Sequence, residues 1–206
     1  ANNGDIYKEE SAKMLSYAIE NGINLIDTAY SYHSENLGDN GESENFVGEF
    51  LSENSLREEV LLQTKSPSWL MEDFRDFDRY LDEQLEKLQT DYIDIYLLHS
   101  LTVPEWYKVK DLNVLDFLDD CLSSGKVKHV GFSSHIEVDY LIEILDEYPK
   151  WEVCLTQMNY LDEYYQSGAM GLNYLRQINV GSEIMEPLRG GRLVQNIPSE
   201  VNALWN

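Results

Sequence analysis

The sequence predicts an α/β fold in which a parallel sheet is wound with helical crossovers. Two observations carry that expectation. Short apolar runs of strand length recur along the chain, and between them lie amphipathic stretches with apolar residues at helical spacing. A third observation favours a closed barrel over an open sheet. Three of the runs end on polar residues able to do chemistry: Asp27, Lys65 and His99. In a (β/α)8 TIM barrel the carboxyl ends of all strands open onto one face, so an acid, a lysine and a histidine from separate strands converge there.

Taken in order, residues 8–22 read as a helix whose Asn21-Gly22 suits its end, and 22–29 as the first strand. Residues 41–54 are helical, 58–65 a strand, and 73–89 a longer amphipathic helix. The run 91–99 is apolar enough to be a strand covered on both faces. A helix over 113–125 closes on Gly125, and 126–134 is the next strand. A helix over 137–149 stops at Pro149, followed by a strand over 152–160, a helix over 164–177 and a last strand over 179–188. Repeated units of this kind give a parallel sheet. No GxGxxG follows an early strand, so the dinucleotide-binding open sheet loses its main signature. Six strands are counted where a closed barrel needs eight. The expectation is a fragment or a truncated relative, lacking one strand at each end and exposing two strand edges through which copies would self-associate.

Length and composition set the bounds. At 206 residues the chain is expected to form one barrel domain over 1–206, and 43% hydrophobic with 12% aromatic residues argues against disorder. A formal charge of −23 disfavours nucleic acid and anionic membranes as partners, because both would be repelled. Cys121 and Cys154 sit in apolar segments without a CxxC pair and read as reduced core thiols. No stretch reaches membrane-span length and no signal peptide is visible, which leads to the expectation of a cytoplasmic protein.

Several ordered motifs resemble the aldo-keto reductase family. DTAYSY from Asp27, QTK ending at Lys65 and YLLH ending at His99 look like its three catalytic segments, in the family's order. GFSS at Gly131 to Ser134 and TQMNY at Thr156 to Tyr160 resemble cofactor segments, and MEPLRGGRL at Met185 to Leu193 resembles the start of a late βα loop. LQTDYIDIYLLH with EPLRGG is most similar to the branch that appends a ferredoxin-like iron–sulfur domain. The cluster cysteines of that branch are absent here, so no iron–sulfur centre is expected within this chain.

The resemblance implies an incomplete barrel of the aldo-keto reductase type that reduces an aldehyde or ketone with NADPH. Tyr32, five residues after Asp27, is implied as the proton donor, with Tyr30 the competing tyrosine. A free phenol has a pKa of ~10 and gives up its proton reluctantly at neutral pH. A neighbouring Lys65 ammonium would favour the phenolate, Asp27 would pair with Lys65, and His99 would hydrogen-bond the substrate oxygen or relay the proton. No side chain supplies a hydride, so a nicotinamide is required. Ser133 and Gln157 are implied as holders of its carboxamide. Met185, Pro187, Leu188, Arg189 and Gly190 are implied cofactor contacts, Met185 standing where many members carry a stacking aromatic and Arg189 acting as counter-charge to pyrophosphate. NADP rather than NAD rests on family habit.

The remaining polar candidates read more plainly. His129 lies inside a strand and is taken as structural, His33 as solvent-facing, and His135 as a strand-end residue within reach of cofactor or substrate. Glu42 and Glu44 open a helix and read as dipole-stabilising surface charges. Residues 34–40 look like a polar insertion beside the substrate mouth, lid-like or disordered, and Trp69 and Trp106 are candidates for lining that mouth, with packing beside the strands as the commoner role of such aromatics. An apolar pocket with one polar end suits a small aldehyde or quinone-like carbonyl. Three other readings stay open: a non-catalytic dinucleotide-binding or regulatory module, a Schiff-base lyase using Lys65, and a metal hydrolase using Asp27, His99, His135 and Glu186. No HxH or HxxxH spacing supports the last, and no metal ligand is assigned.

Overall fold

Strand order follows chain order. In the structure, a computed structural model that describes residues 5–36 and 38–205, six parallel strands lie side by side, each bonded to its neighbours in sequence. They are β1 (Leu25–Asp27), β2 (Leu61–Ser66), β3 (Ile93–Leu101), β4 (Val127–Ser134), β5 (Val153–Gln157) and β6 (Gly181–Met185). Among the described residues β1 and β6 are not paired with each other, so the sheet is a curled half-barrel with two edges. Helix α1 (Lys8–Glu20) precedes β1, the crossovers carry α2 (Ser43–Glu53), α3 (Phe74–Lys87), α4 (Val103–Asp111), α5 (Val114–Ser124), α6 (Val138–Glu147) and α7 (Gly168–Gln177), and α8 (Ser199–Trp205) follows β6.

Because side chains alternate across a strand, each strand feeds two cores. The outer one packs Tyr96, Leu98, Val130 and Phe132 against the helices, with Phe77, Phe117 and Trp151 filling the gap. The inner one is small, built on Ile95, Leu97 and Leu155 with Leu25, Val153 and Met185 around them. Gly131 lets β4 approach its neighbours there, since a Cβ would meet the Val153 carbonyl and lie 2.7 Å from Leu97. No helix among the described residues is long and apolar enough to cross a membrane. Cys121 and Cys154 are free and buried.

Several expectations need correction. The helix α4 is absent from the sequence reading, although its signal is there: Thr102 and Glu105 form a capping box and Pro104 sits in the first turn. Strand β3 runs on past His99 to Leu101 through an irregularity, with Ser100 at φ 53. Helix α7 begins at Gly168 rather than 164, because Gln166, at φ 56, adopts left-handed backbone that a helix running from 164 cannot contain. Trp106 is not at the mouth: it is 1% exposed, packed near Trp151. Glu44 is no surface charge. It is fully buried, accepting from Thr64 Oγ1 at 2.6 Å and Gln84 Nε2 at 2.5 Å.

Of the insertion, Leu37 lies outside the described residues. The described part is tied down. Trp69 Nε1 donates to Gly38 O at 3.2 Å, Asn36 Nδ2 to Asp39 at 2.9 Å, and Lys87 Nζ to Asn40 Oδ1 at 2.7 Å.

Candidate active site

The centre of the site is a buried lysine with three acceptors. Lys65 is completely enclosed at the end of β2. Its ammonium reaches Asp27 Oδ1 at 2.6 Å and Oδ2 at 2.7 Å, the Thr28 carbonyl at 2.9 Å and Tyr32 Oη at 3.0 Å. A buried ammonium needs this coordination, since an unpaired charge in the interior is costly. Three acceptor groups meet three protons, so Lys65 turns no lone pair toward a carbonyl carbon. That disfavours the Schiff-base reading. Tyr32 Oη, already accepting from Lys65, keeps its own proton to donate elsewhere.

Local sequence explains how Tyr32 comes to lie there. After β1 the chain turns, with Tyr32 N donating to Ala29 O, and it returns as Gly41 N donates to Tyr30 O at 2.8 Å. A side chain at position 41 would collide with the Tyr32 carbonyl, so glycine is required by the close approach. Behind Lys65 the outer core is polar: Gln84 Nε2 donates to the Lys65 carbonyl at 3.0 Å, and Tyr96 Oη donates to Gln84 Oε1 at 2.8 Å. Glu44, joined to the same Gln84, has its carboxyl pushed up by burial, against the hydrogen bonds from Thr64 and Gln84. This network pins the backbone of the catalytic lysine candidate from the far side of the sheet.

In front of Lys65 opens a cavity of about 470 Å³. Asp27, Tyr32, His99, Ser133, His135 and Met185 all line it. Six side chains from four segments of the sequence are thus brought together. The His99 ring lies 5.9 Å from that of Tyr32 and 5.4 Å from that of Trp69. Burial, then Lys65, then His135 push the His99 imidazole down to about 3, which keeps it neutral at physiological pH. Ser133 Oγ accepts from Ser100 N at 2.7 Å. A second, adjoining cavity of about 610 Å³ is walled by Tyr32, Trp69, Leu70, His99, Asp39 and Glu105, so Trp69 does stand at a mouth.

Gln157 is buried at the end of β5, beside rather than in the cavity lining. Pro187, Leu188, Arg189 and Gly190 form an exposed turn after β6, with Arg189 at φ 46 and Gly190 at φ 63. Arg189 pairs with Asp162 at 2.9 Å. Tyr30 is buried away from the cavity lining, its phenol pushed up to about 12 mainly by burial. His129 is half-exposed against Glu152 at 2.8 Å, and His33 is exposed. Among the described residues no group of three or more His, Cys, Asp or Glu side chains is arranged to hold a metal ion.

Reading the sequence missed Gln63, Glu183 and Ser100. The first was accessible: Gln63 precedes Lys65 by two residues and therefore faces the same side of β2. Glu183 bears the same relation to Met185 in β6. Whether a nicotinamide fits can be judged from buried polar atoms that lack a protein partner. Gln157 Oε1, Ser134 Oγ and His99 Nδ1 are of this kind. An acceptor and a hydroxyl at adjacent strand ends are the chemistry a carboxamide needs, and a neutral imidazole suits a carbonyl oxygen or the alcohol formed from it. The residues fit.

Comparison with known proteins agrees. The sequence model of a family described as the aldo/keto reductase family matches residues 1–202. A 6-dehydroglucose reductase of Novosphingobium aromaticivorans is 33% identical over 130 residues, covering 61% of this chain and 41% of that protein. An NADH-specific methylglyoxal reductase of Escherichia coli is 26% identical over 212 residues, covering 95% of this chain and 61% of that protein. The chain therefore spans roughly half the length of these curated relatives. An aldo-keto reductase structure from Klebsiella pneumoniae, solved in complex with NADPH, superposes with a TM-score of 0.74 at 23% identity, over 98% of this chain and 67% of that one. One from Bacillus halodurans in its holo form gives 0.73 at 24% identity, over 95% and 62%. At these identities the structural likeness speaks to the fold.

Proposed function

The chain belongs to the aldo/keto reductase family, and from that premise we propose that it serves the reduction of an aldehyde or ketone by a nicotinamide dinucleotide, with Tyr32 as proton donor. The observation that carries the reading is the 3.0 Å contact between Lys65 Nζ and Tyr32 Oη, at a cavity shared with His99 and Ser133. When bound, the dinucleotide supplies the hydride. The chain's own residues do the rest. The Lys65 ammonium, fixed by Asp27, donates to Tyr32 Oη and so stabilises the negative charge that oxygen acquires as its proton leaves. Neutral His99 aligns the substrate oxygen by hydrogen bonding, and Trp69 with Leu70 excludes water from the mouth. Ser133 and Gln157 orient the carboxamide, and Met185 packs its thioether against the ring face.

The expected substrate is a small carbonyl compound, in keeping with the names of the 6-dehydroglucose and methylglyoxal reductases to which the chain is similar. Between the nicotinamide forms the family resemblance favours NADP, whereas the relative covering 95% of the chain is named as NADH-specific. Titration with NADPH and with NADH, read by cofactor fluorescence, tests the reading. Saturable binding of either, with turnover of methylglyoxal or another aldehyde that Tyr32→Phe abolishes, is expected. Binding of neither overturns it.

A further inference from the structure

Three donors from two strand ends converge on one oxygen after β5. Asp162 Oδ2 accepts from Asn159 Nδ2 at 2.7 Å and from Gln157 Nε2 at 3.3 Å, and it pairs with Arg189 Nε at 2.9 Å. Its own backbone is set by Asn159, whose Oδ1 accepts from the amides of Leu161 and Asp162, each at 3.0 Å. Gln157 precedes this loop, and Arg189 belongs to the turn after β6. We propose that Asp162 is a positioning residue of the cofactor site, holding Gln157 and Arg189 in the orientations that dinucleotide binding needs. The proposal rests on the reductase reading given above and names the regulation of geometry within that same site.

The argument is one of hydrogen-bond polarity. A carboxylate accepts and never donates, so the Gln157 amide must present its NH2 to Asp162 and turn its carbonyl oxygen the other way. That oxygen is buried and has no protein partner. An acceptor fixed in this sense is what the NH2 of a carboxamide requires. Without the carboxylate the amide is free to reverse, and it would then offer a donor to a donor. Arg189 is exposed by about half and would otherwise sample many rotamers. The ion pair limits it to the space above the β5 loop, where it meets a phosphate with less entropy still to lose. One acidic side chain thus serves the nicotinamide half and the pyrophosphate half together.

The test compares the purified chain with Asp162→Asn, which keeps the shape but removes the polarity constraint and the charge. Two probes report the two halves: reduced nicotinamide mononucleotide, which carries the carboxamide without the pyrophosphate, and ADP-ribose, which carries the pyrophosphate without the nicotinamide. Asp162→Asn is expected to weaken each by about ten-fold, the factor that one misaligned polar contact is worth. In a Gln157→Leu background it should no longer weaken the mononucleotide, while still weakening ADP-ribose. A merely structural role would lower both in every background. Equal affinities in the parent and the variant overturn the proposal and leave the reductase reading intact. A parent chain that binds neither probe nor NADPH overturns both. Should Asp162→Asn fail to fold, Asp162→Glu, which displaces the carboxylate by one methylene, is expected to show a smaller loss in the same pattern, and no loss would overturn it.

Discussion

Gln63 and Glu183 are joined by a 2.8 Å hydrogen bond across the interior of the half-barrel, although β2 and β6 are not neighbours in the sheet. The same amide nitrogen donates at 2.8 Å to Asp27 Oδ1, while Gln63 Oε1 is left without a partner. One amide therefore stands between two carboxylates, with Lys65 as the cation facing them.

Burial first, and then the charge of Asp27, raise the Glu183 carboxyl above its ordinary value. A carboxyl with a raised pKa holds its proton in the folded state after the unfolded chain has released it. Stability then falls as pH rises through that interval. Glu183→Gln keeps an acceptor for Gln63 and removes the ionisation. Its melting temperature should exceed that of the parent at pH 8, and the gap should close toward pH 4. A gap independent of pH counts against this account.

The Asp27–Lys65 pair is unequal, because Lys65 is fully enclosed whereas the Asp27 side chain is 37% exposed. Asp27→Asn strands a buried ammonium and should cost about 3 kcal/mol. Lys65→Met leaves a carboxylate that water still reaches, at a cost of about 1–2 kcal/mol. Urea unfolding of both variants decides the order. Both should abolish carbonyl reduction, so stability and turnover separate the two roles.

His99, pushed down to about 3, is neutral over the working range. A depressed imidazole pKa means that the unfolded chain takes up the proton first, so the folded state loses stability as pH falls from about 6.5 toward 3. The His99 ring proton should not shift between about pH 8 and pH 4.5 in an NMR titration. His99→Gln should resist acid unfolding better than the parent.

Glu44 lies behind the site rather than in it. Glu44→Ala would leave Thr64 Oγ1 without its acceptor, take from Gln84 Nε2 one of its three, and open a void, which predicts a loss of about 3 kcal/mol. Glu44→Gln keeps the acceptor oxygen and should lose under about 1 kcal/mol. Because Gln84 also holds the Lys65 carbonyl, only the alanine variant should slow turnover in step with its loss of stability.

Much of this was legible from periodicity and from strand-end residues. Lys65 could be placed because a charged residue that closes an apolar run marks the point where a buried strand reaches the open face of the sheet. Tyr32 is singled out over Tyr30 by the family resemblance, whose spacing from the aspartate it matches, and it lies beside Lys65 because the turn after β1 is local. The failures share a physical cause. A helix position says nothing of the neighbouring helix and strand that enclose Glu44. Trp106 reads as a loop aromatic until α4 is recognised, because only the helix assigns the face that it turns inward. Gln63, Glu183 and Asp162 matter through contacts between segments far apart in the chain, and no local pattern announces which polar groups will meet.

Strand order that repeats chain order has a consequence for how the molecule is made. Each new strand, arriving with the helix that precedes it, finds the edge left by the strand before and never has to insert between two that are already paired. The sheet can lengthen in the direction of synthesis, one unit at a time. The Tyr32–Lys65 contact needs only the segments of β1 and β2, whereas the cavity in front of it also needs the ends of β3, β4, β5 and β6. The segments that bring Tyr32 to Lys65 therefore lie early in the chain, and those that close the cavity lie late.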